Sequence, residues 1–322
     1  MTRYIVRRLL QMIPLLAVLS LLLFAALISM PGDPLRSMLE ELPKMTPEEY
    51  QRLRELYGLD DPIHVGYLKW LWQVLSGNLG YSKEYHLPVW ELIEGRLWNT
   101  LILTVTAFVI GKALAILIGI YSARHPYSAL DYSAMGFAFF GFSVPGFWLG
   151  LTLIIVFAVH LQWFPASGMA SAHLAGTGWE IFHDRLRHLV LPVITLAVSE
   201  TASTARYMRS SLLEVIRQDY ITNARSKGLS EQTILFRHAL KNSMIPVVTV
   251  SALSLARLIG GATVIETVFG YPGMGKLLFD AIMGSDFPLA MAILMLMSFI
   301  VILANLIADV LYAWLDPRIR YT

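Results

Sequence analysis

Leu9–Met30 reads LLQMIPLLAVLSLLLFAALISM, an apolar run without one charged side chain. A bilayer core about 30 Å thick is crossed by about 20 helical residues at 1.5 Å each, so this run is long enough to span it. It follows Arg3, Arg7 and Arg8. A cleavable signal carries an apolar stretch of only about 7–15 residues, so the run reads as a retained helix. Five more runs follow. Thr100–Ala123 carries one charge, Lys112, and Ala134–Val159 carries none but holds Pro145 and several glycines, which membrane helices tolerate. His188–Tyr207 is interrupted by Glu200 and Arg206, Ser243–Ile265 by Arg257, and the run from Phe287 to Ala308 is uncharged, its helix expected to reach residue 315. The fold expected is all-α and integral to the membrane, with six transmembrane helices.

Composition agrees. Hydrophobic residues make up 56% of the chain and charged residues 15%, against about 25% in a soluble domain. The net charge is only +2 and the basic residues are dispersed, so nothing points to nucleic acid. The chain has no cysteine, which excludes disulfides, thiolate metal sites and thiol nucleophiles.

Lysine and arginine in short connections mark the cytoplasmic side. Six spans put both termini together, and a cytoplasmic N-terminus keeps Arg124, Arg209, Arg217, Arg225, Lys227, Arg237, Lys241, Arg318 and Arg320 inside. The chain then divides into residues 1–30, an extracytoplasmic segment 31–98 and a core 99–322. Within the outer segment, Thr46-Pro47-Glu48-Glu49 is an N-cap, a first-turn proline and early acids, predicting a helix over Pro47–Tyr57.

The cytoplasmic stretch 209–242 is too patterned for a plain connector. Asp219-Tyr220-Ile221-Thr222-Asn223-Ala224-Arg225-Ser226-Lys227-Gly228-Leu229-Ser230 reads as a helix, a glycine stop and a new N-cap at Ser230. Two helices meeting at a glycine form an elbow that can dock on a soluble partner; the bland reading is an amphipathic hairpin on the lipid surface.

This loop resembles the cytoplasmic coupling motif of binding-protein-dependent ABC permeases. Ala224 and Gly228 fit that motif, whereas Asn223 and Arg225 stand where it has Glu and Ala, and Pro246 lies further past the glycine. The departures resemble the dipeptide and oligopeptide branch, as do Pro31-Gly32-Asp33-Pro34, Arg209-Ser210-Ser211-Leu212-Leu213-Glu214-Val215 and Phe236-Arg237-His238-Ala239-Leu240-Lys241-Asn242. Glu266-Thr267-Val268-Phe269-Gly270-Tyr271-Pro272-Gly273-Met274-Gly275-Lys276-Leu277 and the ending Asp316-Pro317-Arg318-Ile319-Arg320 complete the set. The resemblance implies a type I importer permease in a MetI-like arrangement, in a bacterial or archaeal cytoplasmic membrane. It implies a second permease subunit, two cytoplasmic ATPases that hold the ATP and magnesium, and an extracytoplasmic solute-binding protein. This chain would bind no cofactor and catalyse nothing. Asp219, Tyr220, Ala224, Arg225, Lys227, Gly228 and Leu229 would couple to the ATPase. Di- and oligopeptides are the implied solutes; related permeases serve nickel complexes, glutathione or oligosaccharides.

Gly270–Lys276 has the glycine and lysine spacing of a phosphate-binding loop, but Leu277 stands where a hydroxyl should bind magnesium, and no strand precedes it. A turn re-entering toward the pore mouth fits better. Buried charges are the remaining candidates, because an ionised side chain at a helix centre costs about 2.5–3.5 kcal/mol. Counting residues along oppositely directed spans puts Lys112 and Glu200 within about 5 Å of one depth, with Arg257 further outward. The first two are expected to pair, chiefly to fix packing; all three are candidates for the translocation path. Two other classes stay open on the residues alone. An ion-coupled secondary transporter could use the same three charges, although no repeated half is visible. An intramembrane enzyme would need a nucleophile and base or a metal set, and the scattered histidines form no such pair. Trp70, Trp72, Trp98, Trp163 and Trp179 read as an aromatic belt at the outer interface.

Overall fold

The computed structural model describes residues 2–29, 46, 48, 62–171 and 176–315, excluding the side chains of 2–5, 27–29, 256, 257, 259, 261 and 311–315. The helix expected over Pro47–Tyr57 and the side chain of Arg257 lie outside the described residues. Chain contacts define two compact units, Asn99–Gly275 with Val301–Thr322 and Met1, and Thr2–Trp98 with Lys276–Ile300.

The elements are α1 (Thr2–Ser29), α2 (Ile63–Leu75), α3 (Val89–Arg124), α4 (Ala129–Ser143), α5 (Gly146–Leu153) and α6 (Gly178–Ile216). They continue with α7 (Asp219–Ser226), α8 (Leu240–Val268), α9 (Met274–Met283) and α10 (Phe287–Leu315). Among the described residues no strand forms, only an isolated bridge between Tyr81 and Pro88. Among the described residues, four helices contain stretches long and apolar enough to cross a membrane: Val6–Ala26, Val89–Arg124, Gly178–Ile216 and Phe287–Val310.

The third expected span is not one straight helix. α4 and α5, with the π-helical turns Ile154–His160 that follow, are bent by 106°. Pro145 explains the break, because proline drives the preceding residue out of the helical region, and Val144 is extended at φ −80°, ψ 127°. The run expected at Ser243–Ile265 lies inside α8, a continuous helix despite Pro246.

In the first unit, glycines let helices approach. A Cβ on Gly119 of α3 would meet the Met208 Cβ at 2.5 Å, and one on Gly111 the Glu200 Cβ at 3.0 Å, so α3 packs backbone-close on α6. Gly141 of α4 meets Val198 in the same way, and Gly150 of α5 meets Phe269. Gly136 and Gly260 face open space, and packing does not explain them. Two apolar cores result. One joins Leu103, Leu191, Leu196, Ile265, Phe269 and Tyr271; the other joins Met208, Leu212, Ile221, Ala224, Ile234 and Val247.

The turn after α8 is built on a fully buried carboxylate. Glu266 accepts from the Thr100 hydroxyl at 2.6 Å and from the Gly275 N–H at 2.7 Å, while Thr100 Oγ1 accepts from Met274 N–H at 2.7 Å. Asn99 Nδ2 donates to the Pro272 carbonyl at 2.7 Å. A side chain at Gly273 would collide with this carboxylate and one at Gly275 with the Thr263 backbone, which is why both are glycine. Burial and the neighbouring Glu266 push the Tyr271 phenol up to about 12, so it stays protonated and donates to the Asn99 carbonyl at 3.2 Å. A phosphate loop keeps its N–H groups for the ligand; this one gives Gly275 N–H to a carboxylate.

In the second unit, α2 lies on α1 through Phe24, which packs on Tyr67 and Trp70, and through a 2.8 Å hydrogen bond between Ser20 and Tyr67. Buried Asp286 caps α10, accepting from Leu289 N–H at 3.3 Å, Glu84 N–H at 3.2 Å and the Ser82 hydroxyl.

Glu266→Ala strands the Thr100 hydroxyl and the Gly275 N–H, at an expected cost of about 3 kcal/mol. The unfolding midpoint in detergent should fall by roughly 5–10 °C; an unchanged midpoint would remove the carboxylate from its place as anchor.

Candidate functional site

The elbow forms from local chemistry. α7 ends at Ser226 with Lys227 as its C-cap, and Gly228 takes the left-handed conformation at φ +78°, with its N–H bonded to Arg225 O at 2.9 Å and Leu229 N–H to Ala224 O at 3.4 Å. This double closure is the glycine stop that the sequence implies. Ser230 then caps the next turn by accepting from Thr233 N–H, and Glu231–Thr233 lead through π-helical Ile234–Ala239 into α8.

One side of α7 is buried and the other is offered outward. Ile221 and Ala224, one turn apart, enter the core with Met208, Leu212, Ile234 and Leu235. Asp219, Tyr220, Arg225, Lys227, Gly228 and Leu229 are exposed. Two bonds brace the elbow. Arg225 forms a double contact with Glu231 at 2.8 and 3.2 Å, and Tyr220 Oη accepts from Asn242 Nδ2 at 2.8 Å. The hydrogen bond from Arg225 holds the Glu231 carboxyl below its ordinary value, and the bond to Glu231 raises Arg225. Of the seven expected coupling residues, only Ala224 turns inward.

Lys112 and Glu200 do meet. Lys112 Nζ lies 2.5 Å from Glu200 Oε2 and donates to Thr204 Oγ1 at 2.7 Å, with the Phe108 ring 5.3 Å away. Both residues are buried. Glu200 also lines a cavity of about 430 Å³ between α6, the α4–α5 bend and α8, whose walls include Phe142, Phe147, Ser199, Ser203 and Leu258. A second hollow, about 260 Å³ and almost wholly apolar, runs along α3 and α6 past Ile110, Leu114, Val190 and Ile194.

The sequence reading missed a third ion pair. Asp131, in the first turn of α4, receives Arg209 of α6 through Nε and Nη2, both at 2.7 Å, and also accepts from Tyr127 N–H at 2.9 Å. The available signal is position: an acid just before one expected span and a base just past its antiparallel neighbour. His188 hydrogen-bonds the Asp184 carbonyl, four residues earlier within α6, through Nδ1 at 2.9 Å.

Removing one partner of a buried pair costs about 3–5 kcal/mol, whereas replacing both by apolar groups is close to neutral. Lys112→Met alone should therefore reduce the folded, monodisperse fraction on size-exclusion chromatography severely, and Lys112→Met with Glu200→Leu should restore it. Equal loss in both would deny the pair a packing role.

The family described as binding-protein-dependent transport system inner membrane component matches residues 115–321, and its N-terminal counterpart matches residues 1–104. The oligopeptide transport system permease protein AppB of Bacillus subtilis (strain 168) is 42% identical over the full length of both chains. A Brucella suis biovar 1 protein described as a peptide permease is 40% identical, again over 100% of each chain. Among solved structures, an inward-facing MetNI methionine ABC transporter chain aligns with TM-score 0.55 at 18% identity, covering 71% of this chain and 98% of its own. An amino acid ABC transporter solved with histidines aligns with TM-score 0.51 at 13% identity, covering 69% and 93%. These two share the fold, an all-α permease of the MetI-like kind. With matches along nearly the whole sequence and relatives at 40% identity or more, the chain belongs to the family of binding-protein-dependent transport system inner membrane components and is a multi-pass inner-membrane protein.

Proposed function

We propose that this chain is the transmembrane permease subunit of an ATP-driven importer of di- and oligopeptides. The observation that carries the mechanism is the two-sided α7: Ile221 and Ala224 are locked into the same core as α6 and α8, while its polar side is uncovered. A partner that grips the uncovered side moves the packed side with it. The names of the full-length relatives supply the solute class.

In this reading the chain has six spans with both termini cytoplasmic, α8 being the fifth. It pairs with a second permease, and two ATPases that bind ATP and magnesium seat on the elbows. A solute-binding protein delivers peptide to the outer face, which includes residues 31–98 and the turn after Glu266. ATP binding in the ATPases moves the elbow, and the spans reorient around a path near Glu200. Asp219, Tyr220, Arg225, Lys227 and Leu229 form the ATPase contact, and Gly228 sets its angle. The Lys112–Glu200 pair holds α3 to α6 beside that path, and Arg257 stands further along α8.

The cysteine-free chain makes the test direct. Lys227→Cys in the assembled complex should react with a membrane-impermeant maleimide in inside-out vesicles and not in intact cells, and should cross-link to an ATPase subunit. Reaction from the external face would overturn the orientation and the mechanism together. Gly228→Val should cut ATP-dependent peptide uptake at least tenfold while the complex still assembles, since no neighbour lies within 4 Å to clash and only the left-handed backbone is penalised. Gly228→Asn, which tolerates that conformation, should retain most uptake.

A further inference from the structure

The cavity beside Glu200 has a chemistry of its own. Glu200 gives Oε2 to Lys112, and no donor among the described residues reaches its other oxygen. That oxygen is not sealed away, because the one sealed and unpartnered side-chain atom among the described residues is the Ser122 hydroxyl. Glu200 is itself only 9% exposed and lines this cavity.

Next to it, Thr195, Ser199 and Ser203 stand one turn apart along α6 and line the same cavity. At 1.5 Å per residue the hydroxyls cover about 12 Å, the length of three to four extended peptide residues. Thr195 gives its proton to Leu191 O at 2.8 Å and Ser203 gives its own to Glu200 O at 3.3 Å. What these two hydroxyls present to the cavity is acceptor lone pairs, and Glu200 adds a carboxylate acceptor. Lys112 stands behind Glu200 and is not part of the lining. Phe142 and Phe147 also line the cavity, and aromatic rings attract cations. A wall of acceptors and aromatic rings calls for a ligand that donates hydrogen bonds and carries positive charge.

Resting on the peptide-import reading, we infer that this cavity is a transient docking subsite for the amino-terminal end of the transported peptide. The α-ammonium donates to the free Glu200 oxygen near Ser203, and the following amide N–H groups run from there along the Ser199 and Thr195 hydroxyls. About 430 Å³ lies within the range of small-molecule sites. Lys112 already neutralises Glu200, so the subsite attracts an ammonium without holding it as a bare buried carboxylate would. Weak attraction suits a station on a path, because a solute must leave as readily as it enters.

The test uses the complete complex in nanodiscs, with Ser203→Cys as the one cysteine of this chain and Ser199→Cys as an independent second probe. The rate of modification by a methanethiosulfonate reagent is followed by mass spectrometry of this subunit. Free alanine tetrapeptide should slow modification at least fivefold and its N-acetylated form less than twofold, and Glu200→Gln should erase that difference. Equal protection by the two peptides, no protection by either, or protection by sodium ion alone would overturn the subsite. The labelling reads the cavity whether or not uptake occurs. Absence of ATP-dependent uptake in the unmodified complex would count against the import reading, and loss of peptide discrimination against the subsite alone.

Discussion

A lysine and a glutamate set into apolar helices persist only if they find each other, and the first unit is organised around that requirement. In hydrocarbon neither water nor a distant counter-ion relieves a charge, so the Lys112–Glu200 contact at 2.5 Å fixes the rotation and depth of α3 against α6 more sharply than apolar packing would. Apolar faces slide past one another at little cost, whereas a buried ion pair has one register. Gly111, immediately before Lys112, is the second half of the device: without a Cβ it brings α3 close to Glu200 and Ala197, so that a side chain only one turn long meets the ammonium group.

The same rule recurs at other polar positions. Asp131 and Arg209 join α4 to α6 by a two-point contact, Glu266 ties the turn after α8 to Thr100 on α3, and within the second unit Asp286 joins the N-terminal cap of α10 to the Ser82 segment. Each carboxylate bridges segments far apart in sequence. The polar bonds supply position, and the apolar surface between them supplies most of the free energy. That division suits a body that must move as rigid pieces, since discrete contacts hold relative placement within a piece while greasy faces leave room for shear between pieces.

Much of this was legible because it follows from counting. The length of Leu9–Met30 against the bilayer, the matching depths of Lys112 and Glu200, and the glycine and serine that stop and restart the helix around Gly228 are local or one-dimensional facts. Other features are not one-dimensional. Proline is tolerated in membrane helices, as Pro192 in α6 and Pro246 in α8 demonstrate, so nothing local distinguishes Pro145, where the chain bends by 106°. Asp131 and Arg209 read as ordinary charges at helix ends, and their pairing needs to be known from which helices are neighbours. Glu266 stands in a recognisable motif, yet its work depends on Thr100, far upstream. The open oxygen of Glu200 could not be read at all, because it depends on which of two chemically equal atoms the lysine takes.

The π-helical turns between the elbow and α8 have a mechanical reason. An α-helix repeats every 3.6 residues, but Ile234 and Ala239 are five apart and both fully buried in the core that also holds Ile221 and Ala224. A π-helical turn, whose bonds join i to i+5, puts those two positions on one face. Continuing as a regular α-helix would rotate Ala239 away by more than a third of a turn and loosen the elbow just where it joins the span. The irregular segment therefore keeps α7 joined to α8 through contiguous packed side chains, the connection that the proposed coupling requires. A helix of only eight residues needs such packing, because one that short has little stability of its own.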